Sequence, residues 1–270
     1  MVNKFLKRRL FIDQSFCIDT DANAFIINAG ISDVTQQGAI CNLVQGLKID
    51  NLWSKLKAIY PIIGGTASTH KYNLKNPLDT DAAFRLDFVN SFNHDSNGIR
   101  GNANQSAYAN TFLTPSIDLT NNNTHISVYS GVNSLENNCQ IGCSVSASSR
   151  YSIFTRLAND VYFDSYNSTT GRIQESNIDA SGFYLSSRTA SNVHKGFKNS
   201  VQVGATNIGA SPTIPNIPLY IMARNNNGTA DLFSTRIVSF ATVGDGLSDA
   251  EQLNLYNRIQ TYQTTLGRNV

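Results

Sequence analysis

The stretch from Leu52 to Phe88, LWSKLKAIYPIIGGTASTHKYNLKNPLDTDAAFRLDF, is where the chain changes period. Upstream of it, apolar residues recur every three or four positions, the spacing of one helix face. Downstream they alternate every second position, as on a strand with one buried side. Between the two regimes lie Pro61, Gly64 and Gly65, residues that stop a helix and permit sharp turns. A chain patterned this way reads as a helical lead-in joined to a β body.

The upstream spacing predicts three short helices. Residues 21–30, DANAFIINAG, start at Asp21 and stop at Gly30. A second helix, capped by Asp33 or Thr35, runs to about Leu47 with Ile40, Leu43, Val44 and Leu47 on one stripe. A third follows Asn51, with Leu52, Trp53, Leu56 and Ile59 as its apolar side. It stops before Pro61, because the residue preceding a proline resists helical geometry. Helices this short bury no core of their own and must dock on the β body or on another protein. Residues 1–60 therefore read as an arm with short helices for docking, and 61–270 as the β domain.

From Phe84 the pattern is β, with Phe84, Leu86 and Phe88 on one side and Arg85, Asp87 and Val89 on the other. Similar runs recur at 125–132, 141–147, 150–157, 160–166, 171–177, 181–188, 200–208, 217–225 and 231–244. Segments such as NNNT, NSTTG and NNNG separate them, and their Asn and Gly residues tolerate the positive φ of tight turns. The expected fold is mainly β, a two-sheet jelly-roll sandwich with a short N-terminal helical segment and a C-terminal helix. That last helix spans 248–266. Ser248 and Glu251 make a capping box, Leu255, Ile259, Tyr262 and Leu266 share a face, and Gly267 ends it.

Composition matters at the surface. Charged residues make up 15% of the chain, against roughly 25% in ordinary soluble domains, and Asn, Ser and Thr take their place. Such a surface suits hydrogen bonding to loops, sugars or neighbouring subunits. The net charge of +2 gives no field that steers toward nucleic acid or anionic lipid. No apolar run approaches the ~20 residues that span a bilayer. Neither a nucleic-acid partner nor membrane insertion is expected. The basic residues cluster once, at Lys4, Lys7, Arg8 and Arg9, as a solvated tail or as an arm that docks on an acidic partner. Residues 10–12 are cut off by Asp13, too short for the apolar region of a secretory signal, about 7–15 residues. Cys17, Cys41, Cys139 and Cys143 lack metal-binding spacing. Along a strand, Cys139 and Cys143 stand about 13 Å apart, beyond the roughly 7 Å reach of a disulfide. All four are expected as reduced, packed thiols.

Two strings carry a family resemblance. GLKIDNLWSKLKAIYPIIGGTASTHKYNLKNPLDTDAAFRLDF at 46–88 and IVSFATVGDGLSDAEQLNLYNRIQTYQTTLGR at 237–268 resemble segments of bacteriophage virion proteins with a concanavalin A-like, laminin-G-like jelly roll. The resemblance runs from about residue 35 onward. It implies a β-sandwich in a head-decorating or tail-fibre protein, made in the host cytoplasm and working in the virion. Its partners would be other virion structural proteins, in a homo-oligomer, and it implies no catalytic residues.

A glycosidase on such a fold needs two carboxylates held about 5–10 Å apart across a cleft. No E-x-D pattern here puts such a pair on one strand face. Asp19/Asp21 and Asp79/Asp81 lie in turn-like DTD segments suited to capping, while Glu136 and Glu175 stand alone. Asp79, Thr80 and Asp81 carry part of a calcium site's oxygen set, but no D-x-D-x-D-G loop is present, and no cofactor is expected. His70, His94, His125 and His194 show no paired spacing, and no G-x-S-x-G elbow or phosphate loop occurs. Sugars stack on side chains with a flat apolar face and a polar tip. Of the tyrosines, Tyr108, Tyr129 and Tyr166 are the candidates for glycan contact. The expected function is a non-enzymatic virion structural protein that attaches to other virion proteins. The alternative is a module that recognises a host surface polysaccharide.

Overall fold

A computed structural model describes residues 17–102, 105–210 and 213–270. In chain order these form α1 (Thr20–Ala29), α2 (Val34–Ile49), β1 (Leu56–Tyr60), the single-turn α3 (Ala67–His70), β2 (Asp87–Val89), β3 (Phe92–Asp95), β4 (Gly98–Gly101), β5 (Tyr108–Asn110) and the single-turn α4 (Pro115–Asp118). There follow β6 (Thr124–Ser130), β7 (Ile141–Ser146), β8 (Ser149–Leu157), β9 (Asp160–Ser165), β10 (Arg172–Ser176), β11 (Gly182–Ala190), β12 (Val193–Lys198) and β13 (Val201–Asn207). The chain ends with β14 (Tyr220–Ile221), β15 (Arg224–Asn226), β16 (Thr229–Asp231), β17 (Val238–Gly244) and α5 (Asp249–Thr265).

The strands make two sheets packed as a jelly-roll sandwich. Sheet 1 runs β13-β12-β11-β6-β17-β4-β3, with β1 also paired to β17. Sheet 2 runs β10-β9-β8-β7-β14-β5-β2, with β15 parallel to β7 and folded back through β16. Side-chain alternation sorts the faces. Ile126 and Val128 of β6, Tyr184 of β11 and Val243 of β17 meet Ile141, Cys143, Tyr151, Ile153, Val161 and Phe163 of sheet 2 in the inter-sheet core. The other face of sheet 1 is also apolar. Tyr129, Phe183, Leu185, Phe197 and Phe240 pack there against Phe25, Ile40, Leu43, Val44 and Leu47 of the first two helices and Leu255, Ile259 and Tyr262 of α5. The short helices thus dock on the β body, giving three layers.

Local chemistry fixes the helix ends. Asp19, two residues ahead of the expected start, caps α1 by accepting from the Asp21 and Ala22 amides, and Gly30 ends it in the left-handed region at φ 68°. Asp33 caps α2 through the Gln36 amide. Ser248 and Glu251 form the expected reciprocal capping box on α5.

The third expected helix is absent. Residues 53–55 make one 3-10 turn, and Leu56–Tyr60 is a strand. A register shift between Leu56 and Ala58 bulges this strand against β17. The bulge puts Leu56 and Ile59 together on the helix side and Ala58 and Tyr60 on the inter-sheet side. A bulged strand therefore carries the three-residue spacing of a helix. The alternation expected from Phe84 also starts late, because Phe84 sits at φ 57° after a 3-10 turn and β2 begins at Asp87.

The cysteine expectation is corrected in part. Cys17 and Cys41 form a disulfide across 24 residues, joining the lead into α1 to α2. The helical hairpin brings them together, a proximity that spacing along the chain does not encode. Cys139 and Cys143 are free and buried.

Candidate functional site

Helices cover the outside of sheet 1, so the outside of sheet 2 is the sandwich face left for a ligand. Strand register lays one row of outward-facing residues across it: Asp87, Asn110, Tyr220, Gly142, Ser152, Asp164 and Arg172. The row is polar because each of these residues is one position out of phase with the apolar residues of the inter-sheet core. At Gly142 the strand is bare, and a Cβ there would press on Ser152 and on the Cys139 sulfur.

Aromatic rings stand near both ends of the row. Tyr108 of β5 stacks on Tyr220 of β14 at 4.4 Å between centroids and 23° between planes. Tyr220 is almost covered while Tyr108 remains half-buried, so Tyr108 is the outer ring of the pair. Burial, with Tyr108 alongside, pushes the Tyr220 hydroxyl up to about 12. At the far side, the Arg172 guanidinium lies over the Tyr162 ring at 4.7 Å.

Between the rings sits a cluster of charges. Asp164 is fully buried, accepts from the Ser152 hydroxyl at 2.9 Å, and takes both Arg172 Nε (2.7 Å) and an Arg172 terminal nitrogen (2.8 Å). Arg224 is held in the same two-pronged way by Asp231. Arg150, on β8 two residues before Ser152, donates through Nε to Ser144 Oγ at 3.2 Å. Burial lowers the Arg150 pKa from its ordinary value. Asp164 opposes that shift, whereas Arg224 and Arg172 add to it.

Of the tyrosines proposed for sugar contact, only Tyr108 is on this face. Tyr129 is fully buried under the helical layer, its hydroxyl donating to the Val270 carbonyl and accepting from the Val270 amide. Tyr166 is fully buried between the sheets, packed on Tyr151 at 4.6 Å. Neither offers a ring to a ligand, since this sandwich uses tyrosine as core filler wherever its hydroxyl or ring finds partners. Tyr162 and Tyr220 are not among the tyrosines expected at a glycan site, yet the structure places both on this face. Tyr162 was readable, because in DVYFDS it alternates with the inward Val161 and Phe163. Lys4, Lys7, Arg8 and Arg9 lie outside the described residues.

The carboxylates singled out from the sequence have structural partners. Asp79 and Asp81 flank Arg85, at 3.7 and 2.8 Å, so a guanidinium occupies the position suggested for calcium. Glu136 accepts from Ser234 and from the Thr235 amide, both at 3.0 Å, beside Arg236. Among the described residues, no group of three or more His, Cys, Asp or Glu is placed to hold a metal ion, and no helix is long and apolar enough to cross a membrane.

No protein-family model and no curated protein matches the sequence. Several solved structures match the fold. The botulinum neurotoxin serotype D binding domain superposes with a TM-score of 0.51 at 8% identity, over 76% of this chain and 52% of that one. A mutant of Trypanosoma rangeli sialidase displaying trans-sialidase activity gives 0.54 at 10%, over 82% and 39%. A structure of botulinum neurotoxin type C, whose cell entry is dependent upon interaction with two ganglioside molecules, gives 0.50 at 12%, over 78% and 53%. The chain thus spans about half the length of these neurotoxin chains and less of the sialidase, and the likeness is one of β-sandwich fold.

Proposed function

We propose that this protein is a glycan-binding module and that the outer face of sheet 2 is its binding surface. One observation carries the reading. The face that the helices leave uncovered combines a stacked tyrosine pair, Tyr108 outermost, with half-buried hydrogen-bonding side chains at Asp87, Asn110 and Arg172, the two chemistries that hold a sugar ring. The shared fold with a neurotoxin that depends on gangliosides, which are sugar-bearing lipids, supports the reading at the level of architecture. We read the activity as binding without turnover, because Asp164 and Glu136 are engaged by hydroxyls and arginines and neither is free to act as an acid or base. A place on a phage particle, which the strings at 46–88 and 237–268 resemble, is compatible with the same surface.

The test is a glycan array with the wild-type chain, Tyr108→Ala and Tyr108→Phe. Binding should fall roughly tenfold in the alanine variant, the upper range of what an aromatic pair adds, and persist in the phenylalanine variant. Absence of any glycan above background, or equal binding by all three chains, rejects the proposal.

A further inference from the structure

On this surface three guanidiniums, of Arg150, Arg172 and Arg224, share two carboxylates, of Asp164 and Asp231. Asp164 gives both oxygens to Arg172, and Asp231 gives both to Arg224. Arg150 is the one left over. Among the described residues its one hydrogen bond goes through Nε to the neutral Ser144 hydroxyl, and no carboxylate forms an ion pair with it. Among the described residues neither terminal nitrogen has a hydrogen-bond partner. The side chain is half-buried all the same, and a charge withdrawn from water without a counter-ion is costly.

The surroundings specify the missing partner. Arg150 and Ser152 point outward from the same strand, and Ser152 pairs across to Asp164, so Arg150 is the diagonal neighbour of the Asp164–Arg172 pair. Arg224 is in register with Gly142, a position over which Ser152 and the Cys139 sulfur close. Strands lie about 4.8 Å apart, so Tyr220 and Ser152, two strands apart, are separated by about 10 Å. Tyr108 and Arg150 lie on opposite sides of the row, three strands and four residues apart, about 20 Å, so a ligand that touches both is an oligosaccharide whose separate units meet the tyrosine pair and the arginine. The planar guanidinium fork of Arg150 matches a two-oxygen anion.

We propose that the surface selects acidic glycans, with Arg150 binding an oxyanion of one sugar unit, a carboxylate or a sulfate ester, while Tyr108 supports the ring of another. This rests on the glycan-binding reading and adds the ligand's charge and the residue that recognises it.

The experiment measures binding of the wild-type chain and Arg150→Gln by calorimetry at low and high salt. The probes are a uronic-acid oligosaccharide, its carboxyl-reduced form, a sulfated neutral oligosaccharide, free glucuronate and inorganic sulfate. Thermal unfolding of both chains checks that the variant is folded. Wild type should bind an acidic oligosaccharide at least ~10-fold more tightly than the carboxyl-reduced one, as expected for a charge-assisted hydrogen bond. The preference should shrink with salt and vanish in Arg150→Gln. The carboxylated and sulfated probes show which oxyanion is taken. Equal binding of acidic and reduced forms, or an unchanged preference in Arg150→Gln, overturns the inference while leaving glycan binding standing. Arg150-dependent binding of glucuronate or sulfate with no oligosaccharide bound supports the anion site and rejects the glycan reading. No binding by any probe rejects both.

Discussion

Arg268 is a buried cation whose hydrogen bonds all go to neutral oxygens: Ile62 O at 2.7 Å, Pro61 O at 2.8 Å, Ser239 O at 3.0 Å, Ser96 O at 3.3 Å and Gln263 Oε1. It ties the end of the chain to the turn after β1. Replacing it with methionine leaves several buried carbonyls without donors, so Arg268→Met should lose about 3–5 kcal/mol in urea unfolding. A loss under 1 kcal/mol contradicts this account. Three histidines make a second prediction. Each uses one ring nitrogen as a donor and the other as an acceptor. His125 donates to Asp245 O and accepts from Thr242, His194 donates to Gly171 O and accepts from Ser186, and His70 accepts from the Gly65 amide and donates to His94. Only the neutral ring satisfies both bonds, and burial holds the pKa near 4 for His125 and near 3 for His70 and His194. Their folded values lie below the unfolded 6.5, so the unfolded chain binds more protons in between. Stability is full above about pH 6.5 and is lost as pH falls toward 4, by about 1.4 kcal/mol per pH unit for each ring. Unfolding free energies that stay flat from pH 7 to 4.5 refute it. At this scale the site was half legible. Strand alternation marks Tyr162 and Asp164 as outward, but no pattern says that Asp164 is consumed by Arg172 and that Arg150 is left over, since that depends on register between strands.

Elements whose signals are local were readable, and those shaped by their neighbours were not. The capping box of α5 lies within four residues, and the helix starts where it predicts. β1 misleads because its bulge, visible only against β17, converts a two-residue period into a three-residue one. β12 is hidden because VHKGFK carries a glycine that the fold needs, for Phe163 packs where a Cβ of Gly196 would lie. The helical hairpin depends on a contact of the same non-local kind. The Cys17–Cys41 disulfide closes 24 residues, and the entropy of a loop that size corresponds to about 3 kcal/mol. Reducing it, or replacing both cysteines with serine, should lower stability by that order while leaving the far-UV spectrum intact. A thermal midpoint unchanged by reductant removes the disulfide from the account of this region.

On the scale of the whole molecule, sheet 1 is apolar on both faces and sheet 2 on one, and this asymmetry decides what each layer does. The outer face of sheet 2 is polar, with Asp87, Tyr108, Asn110 and Arg172 half-buried on it, and is the face proposed for a ligand. The outer face of sheet 1 cannot, because Tyr129, Phe183, Leu185, Phe197 and Phe240 lie on it, nearly or fully buried. Burial of one such side chain is worth about 1.5–3 kcal/mol, so the set matches the whole net stability of a domain, about 5–15 kcal/mol. The helical layer therefore shares the core of sheet 1, and the β domain is expected not to stand without it. A fragment of residues 51–270, which retains β1 and α5 but lacks α1 and α2, should aggregate or bind a hydrophobic dye. Full-length protein should do neither, since the missing helices supply Phe25, Ile40, Leu43, Val44 and Leu47 of that core. Size-exclusion chromatography and calorimetry decide the matter. A monomeric fragment melting at the full chain's midpoint would mean that the sandwich is self-sufficient and that the helices are free to serve another purpose.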